Sequence, residues 1–225
     1  YLNQGANGVG ILLGNGWHGV PKLRFQINVE YDDGGTDVIS TGEWRWNFAR
    51  SPIIENSVYD GEVYDARLEK EGWDKPGFKE NPYEWIHARY ATPPGGVLRA
   101  QMAEPIKVVD TIEPVAITQP KPGMYVVDVG QNIAGWCKLS VQAQAGTEIT
   151  LKFAEMLYED GTINQENLRT SKARNIYITK GEGVEEYEPR FTYFGFRYVE
   201  VTGFPGELTK KNIKGRAVRS AVDVV

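Results

Sequence analysis

Apolar and polar residues alternate with a period of two in segment after segment of this chain, and no helical repeat of comparable length competes with them. Ile149, Leu151 and Phe153 alternate with Thr150, Lys152 and Ala154, the pattern of a half-buried strand. Ile176 and Ile178 alternate with Asn175, Tyr177 and Thr179. Phe194, Phe196 and Tyr198 fall on one side of a third segment, where Gly195 is a bulge or close-approach position. Cys137, Leu139 and Val141 share a face of a fourth. Nearer the start, Leu23, Phe25, Ile27, Val29 and Tyr31 alternate with Arg24, Gln26, Asn28 and Glu30. Asp33-Gly34-Gly35 then turns the chain into residues 36–40, because glycine accepts positive φ without steric cost. Trp44, Trp46 and Phe48 share one further face. Strands separated by turns at this density make sandwiches, not helical bundles. The expected fold class is all-β, with helix confined to short turns in residues 72–90 and 164–172.

A chain of 225 residues is one large domain or two small ones and is long enough to bury a core. The stretch Ala91-Thr92-Pro93-Pro94-Gly95-Gly96 reads as a linker, which divides the chain into β-sandwich domains at 1–92 and 97–225. Net charge is −5, with acids and bases interspersed. Nothing tracks a phosphate backbone, so nucleic acid is not an expected partner. No apolar run reaches membrane-spanning length, so neither is a membrane. The one cysteine, Cys137, allows no internal disulfide and reads as a small core residue. His18 and His87 have no Cys or acid at ligand spacing, which argues against zinc. No serine sits in a Gly-x-Ser-x-Gly elbow, and Gly14-Asn15-Gly16 is too short to be a phosphate loop.

Two groups of motifs carry more than fold class. The first is Val126-Val127-Asp128-Val129-Gly130-Gln131-Asn132-Ile133-Ala134-Gly135-Trp136. It continues through Phe153-Ala154-Glu155, Glu159-Asp160-Gly161, Glu166-Asn167-Leu168-Arg169 and Arg190-Phe191-Thr192-Tyr193-Phe194-Gly195-Phe196-Arg197-Tyr198. The second joins Leu12-Leu13-Gly14-Asn15-Gly16-Trp17 to Tyr59-Asp60-Gly61-Glu62 and Tyr64-Asp65-Ala66-Arg67. In this order and spacing they resemble the non-catalytic β-domains of bacterial α-L-rhamnosidases. The resemblance implies jelly-roll or concanavalin-like sandwiches that accompany a helical catalytic barrel removing terminal rhamnose from glycosides or polysaccharides. It also implies that strands normally precede residues 12–17. Those residues are therefore expected at a sheet edge whose open backbone groups would pair in a dimer or with a segment absent from this chain.

Glycoside hydrolysis needs two carboxyl groups across the scissile bond. By resemblance those groups lie in the barrel, so no catalytic residue is expected here. Glu62, Asp65, Asp128 and Glu155 are the acids that could be put forward instead. A binding role is the alternative use of the motif acids. Asn56, Asp60 and Glu62 are oxygen donors within one short segment, a candidate calcium site. Trp44 and Trp73 could supply the aromatic face that a sugar needs. The plainer reading makes Asp60-Gly61 a turn, pairs Glu62 with Arg67 and puts the tryptophans in the core. No cofactor is required on either reading, calcium being the one candidate. The expected partners are the catalytic helical domain of the same protein and a rhamnose-containing carbohydrate. The rival function is a stand-alone carbohydrate-binding or adhesion protein.

Overall fold

The computed structural model describes residues 2–17, 20–42, 46–93, 95–97 and 99–222. Its strands, in chain order, are β1 Gln26–Glu30, β2 Thr36–Ser40, β3 Asn47–Phe48, β4 Ile53–Ser57, β5 Gly61–Asp65, β6 Ile86–His87, β7 Ile106–Ile112 and β8 Ala116–Lys121. There follow β9 Met124–Val141, β10 Glu148–Ala154, β11 Met156–Leu157, β12 Ile163–Asn164, β13 Arg174–Ile178, β14 Glu185–Tyr187, β15 Phe194–Thr202 and β16 Ile213–Ser220. Among the described residues the helical elements are two three-residue 3-10 turns, Ala66–Leu68 and Glu166–Leu168. The chain is all-β, and the second of these turns lies where a short helical turn was expected. The first does not: it is set by Asp65, whose carboxylate accepts the Arg67 N–H at 3.1 Å.

Two compact units emerge. One contains residues 1–51 and 70–97, the other 52–69 and 98–225. In the first, β1 and β2 form the expected hairpin, in register from Gln26 opposite Ser40 to Glu30 opposite Thr36. Its turn closes through Tyr31 N–H to Gly35 O at 2.9 Å, and Asp33 accepts the Gly35 N–H at 2.8 Å. The acids of that turn therefore shape it. Residues 11–15 belong to no strand and Gly16–Trp17 form a turn, so the expected sheet edge at 12–17 is not formed among the described residues. The neighbouring segment packs closely on a loop instead: a Cβ at Gly10 would stand 2.5 Å from the Trp73 ring, and one at Gly8 2.6 Å from Asp74 O.

The second unit is built on one ten-stranded sheet, with main order β4-β5-β13-β10-β15-β9-β16-β7 and with β8 and β14 also paired to β9. The 18-residue β9 is its spine. The near half pairs with β15 and the far half with β16. One core lies within this sheet. Cys137, Leu139 and Val141 enter it from β9, Ile149, Leu151 and Phe153 from β10, and Val199 and Val201 from β15. All eight are at most 2 % exposed. Each fully buried large side chain stabilises by about 1.5–3 kcal/mol relative to exposure. Phe153 stacks on Phe194 and meets Phe196 edge-on, both at 4.8 Å between ring centroids.

The alternation on β15 breaks within the strand. Phe196 and Val199 both reach the core, although they differ by three. The register shifts between Phe196, opposite Ile133, and Tyr198, opposite Asp128. This irregularity turns Tyr198 to a small second cluster with Val126, Ala154 and Ile163. The extra residues lie on β9, between Asp128 and Ile133 and opposite Arg197, rather than at Gly195, the expected bulge or close-approach position. On β13, Asn175, Ile176 and Tyr177 are all buried, so both faces are covered.

Residues 52–69 join this sheet by pairing β5 in parallel with β13, Gly61 opposite Arg174 through Asp65 opposite Ile178. The compact units are for that reason discontinuous in the sequence. A parallel pairing across more than a hundred residues leaves no local trace in the sequence.

Candidate functional site

The β4–β5 hairpin carries the first group of candidate residues. Asn56 and Glu62 are cross-strand partners on it, and Asp60 lies in the turn between. Gly61 makes the tight junction with β13 possible: its φ is +112°, and a Cβ there would lie 1.7 Å from Arg174 O. Asp60 O accepts the Arg174 N–H at 3.0 Å. The Asp60 carboxylate accepts the Lys172 N–H at 3.2 Å and lies 4.0 Å from Lys172 Nζ. The turn expected at Asp60-Gly61 is thus formed, and it is stitched to residues 172–174.

Glu62 goes inward and is 1 % exposed. Its Oε1 accepts the Tyr187 hydroxyl at 3.0 Å, and its Oε2 accepts the Arg190 N–H at 3.2 Å. Its own N–H donates to Asn175 Oδ1 at 3.2 Å. Burial raises the carboxyl above its ordinary value, and the hydrogen bonds from Arg190 and Tyr187 only partly oppose that. Such a carboxyl is shifted towards its protonated form, as a general acid must be, but it is sealed from any substrate. Arg67 does not pair with it. The Arg67 guanidinium grips Asp65, Nε to Oδ1 at 2.8 Å and the terminal nitrogen to Oδ2 at 2.7 Å, and holds that carboxyl below its usual range.

Three tyrosines stack beside Glu62. Tyr177 and Tyr187 are 4.7 Å apart, and Tyr64 lies 5.8 and 5.6 Å from them. Each hydroxyl donates to a different glutamate: Tyr64 to Glu69 at 2.8 Å, Tyr177 to Glu185 at 2.8 Å and Tyr187 to Glu62. Burial pushes Glu185 up, but the Lys180 and Gly181 N–H groups and the Tyr177 hydroxyl outweigh it and leave the group lowered. Lys180 Nζ closes the cluster on Glu69 at 2.9 Å. Sequence reasoning missed this cluster. Its only local hint was the spacing Glu-x-Tyr, Glu62 to Tyr64 and Glu185 to Tyr187, in strands that otherwise read as ordinary.

The other two acids are also engaged. Arg197 grips Asp128 with two hydrogen bonds of 2.9 Å and lowers its pKa. Glu155 accepts the Asn132 side-chain amide at 2.7 Å and that of Asn167 at 3.2 Å. Trp73 is half-buried in the unit that does not contain β4 and β5. Trp44 and His18 lie outside the described residues. His87 Nδ1 contacts Asn47 Oδ1. No cluster of three or more His, Cys, Asp or Glu side chains able to hold a metal occurs among the described residues. Cys137 is fully buried and its thiol is pushed up by that burial, so it is a core side chain.

Comparison with known proteins adds two family matches in series. Residues 1–110 match the alpha-L-rhamnosidase N-terminal domain, and residues 118–219 the bacterial alpha-L-rhamnosidase concanavalin-like domain. An alpha-L-rhamnosidase of Streptomyces avermitilis is 38 % identical over 98 % of this chain and 22 % of its own length. Among solved structures, the alpha-L-rhamnosidase from Dictyoglumus thermophilum superposes with a TM-score of 0.87 at 47 % identity, over 92 % of this chain and 23 % of that one. The Streptomyces avermitilis enzyme complexed with L-rhamnose gives a TM-score of 0.85 at 41 % identity, over 96 % and 21 %. The chain therefore spans about a quarter of the length of the relatives it matches.

Proposed function

The chain belongs to the bacterial α-L-rhamnosidase family through these two β-domains, and on that premise we propose that it is the accessory β-region of an α-L-rhamnosidase. The longer polypeptide would hydrolyse terminal α-L-rhamnose from glycosides or polysaccharides, and this region would support its catalytic domain. The observation that carries the reading is the pair of family matches in series over a quarter of each relative's length. The state of the acids supports it. Glu62 is sealed in the sheet, Asp65 and Asp128 are each gripped by an arginine, and Glu155 is clamped by two amides. Cleavage needs two carboxyl groups facing one bond from opposite sides, and these four serve different strands and loops. The test compares hydrolysis of an aryl α-L-rhamnoside by this chain and by a longer polypeptide that also contains the remainder. Turnover by the longer one alone is the expected result. Turnover by this chain, abolished by Asp65→Asn or Glu155→Gln, would overturn the reading.

Sugar binding is part of the same proposal. It would centre on the β4–β5 hairpin, with Asn56, Asp60 and Glu62 around a calcium ion. Asp60 supports this, because its carboxylate reaches the surface of the turn. Glu62 can join only by giving up its bonds to Tyr187 and Arg190. Calorimetry with millimolar L-rhamnose, with calcium and then with a chelator, decides it. Heat that disappears on chelation is expected, and the absence of heat with calcium present removes the site.

A further inference from the structure

Four stretches far apart in the sequence meet at Glu155. Asn132 comes from the irregular part of β9, Asn167 from the second 3-10 turn, and Gly195 from the start of β15. Glu155 itself stands between β10 and β11. Its two oxygens accept one amide each, from Asn132 at 2.7 Å and from Asn167 at 3.2 Å. The carboxylate is exposed to solvent, so this network adds little to stability. It does fix the carboxylate in one orientation, with a lone pair left on each oxygen. Gly195 keeps it uncovered: a Cβ there would stand 3.6 Å from Oε1, and any longer side chain would spread over the group.

Two large side chains close by in sequence are left open to solvent. Met156, next in sequence, is 62 % exposed, and Tyr193, two residues before Gly195, is 52 % exposed. Tyr158 anchors the far side through Glu166, which accepts its hydroxyl at 2.9 Å. Arg169 closes the turn with φ +58°, a conformation that L residues rarely adopt and that persists only where surroundings impose it. Rigid polar groups amid exposed methionine and tyrosine are the makings of an interface core.

We propose that this face docks the remainder of the longer polypeptide, the part of the relatives this chain does not match, and that Glu155 receives a basic side chain from it. The proposal rests on the reading of the preceding subsection. The occupant follows from two facts. The relatives extend to about four times the matched length. Residues 155–169 hold four acids, Glu155, Glu159, Asp160 and Glu166, against Arg169 alone. A second copy of this face would bring those acids against themselves across a two-fold axis, whereas a basic partner complements them.

Hydroxyl-radical footprinting read by mass spectrometry tests it, comparing this chain with the longer polypeptide. Oxidation of Met156 and Tyr193 should fall by about fivefold or more in the longer one, as expected for residues in a water-excluding interface core. Met102 and Tyr83, 91 % and 94 % exposed, serve as internal references. Glu155→Arg in the longer polypeptide should return Met156 and Tyr193 to the oxidation seen in the short chain. Glu207→Arg makes the same charge change on an exposed acid outside residues 155–169 and should leave the protection in place. Equal oxidation in both chains, in a longer polypeptide that hydrolyses an aryl α-L-rhamnoside, overturns this surface and leaves the function standing. A longer polypeptide without hydrolysis overturns the function, and the footprint still reports whether the face is covered.

Discussion

Replacing Glu62 by glutamine should change how stability depends on pH, and the direction follows from where the carboxyl sits. Glu62 is 1 % exposed, and burial raises its pKa above the ordinary 4.5. Between that unfolded value and the raised folded one, the native state holds more protons than the unfolded state. The contribution of this group to stability is therefore fully present below about pH 4.5 and is lost as pH rises through the folded value. Glutamine cannot titrate. It offers one acceptor oxygen and an NH2 donor, the same pattern as the protonated carboxyl of the folded parent, so the Arg190 N–H, now 3.2 Å from Oε2, can donate to the oxygen while the Tyr187 hydroxyl, now 3.0 Å from Oε1, accepts from the NH2. Glu62→Gln should thus be close to the parent in stability at pH 4.5, and the parent should lose about 1.4 kcal/mol relative to it for every pH unit separating the folded value from the unfolded one. Glu62→Ala strands both donors and leaves a void, for about 3–5 kcal/mol at pH 4.5. The assay is urea unfolding followed by circular dichroism from pH 4.5 to 8. Asp65, Asp128 and Glu185 titrate in the opposite sense, since their pKa values are lowered. The informative quantity is accordingly the difference between parent and Gln variant at each pH. A parent that keeps pace with the Gln variant at every pH, or gains on it as pH rises, would refute the reasoning.

Gly61→Ala places a methyl 1.7 Å from Arg174 O and should part β5 from β13, with loss of about 3 kcal/mol or more in urea unfolding. Gly34→Ala, at φ +83° with nothing within 4 Å, should cost only about 1 kcal/mol. Asp128→Asn should cost about 1 kcal/mol at pH 7, since its pairing with Arg197 is partly exposed. That cost should vanish as pH falls through the lowered pKa of Asp128, where the parent loses the same contribution. Cys137 should resist a thiol reagent such as a disulfide-exchange chromophore in buffer and react fully in urea. Reaction of the folded chain at the rate of a free thiol would contradict its place in the core.

Much of the local structure was legible in the sequence because its causes are local. Ile149, Leu151 and Phe153 form a strand with one buried face because that is what period two means on a pleated backbone. The hairpin around Asp33-Gly34-Gly35 needed only turn chemistry. The order of the motifs was enough to identify the family, since they stand in series along the chain. Pairing between distant strands is another matter. Alternation on β5 says which residues share a face, but not that the neighbour is β13, parallel and more than a hundred residues away. That pairing, with β14 held on β9, brings Tyr187 and Arg190 to Glu62 and makes a buried carboxylate tenable where a calcium ligand or a partner of Arg67 was expected. Only folding decides that Arg67 turns to Asp65, that the register between β9 and β15 shifts opposite Arg197, and that Asn132 and Asn167 clamp Glu155. A buried polar group depends on partners supplied by other strands. The sequence determined which segments extend and which residues they can hide, and the tertiary structure decided which polar groups those segments could afford to bury.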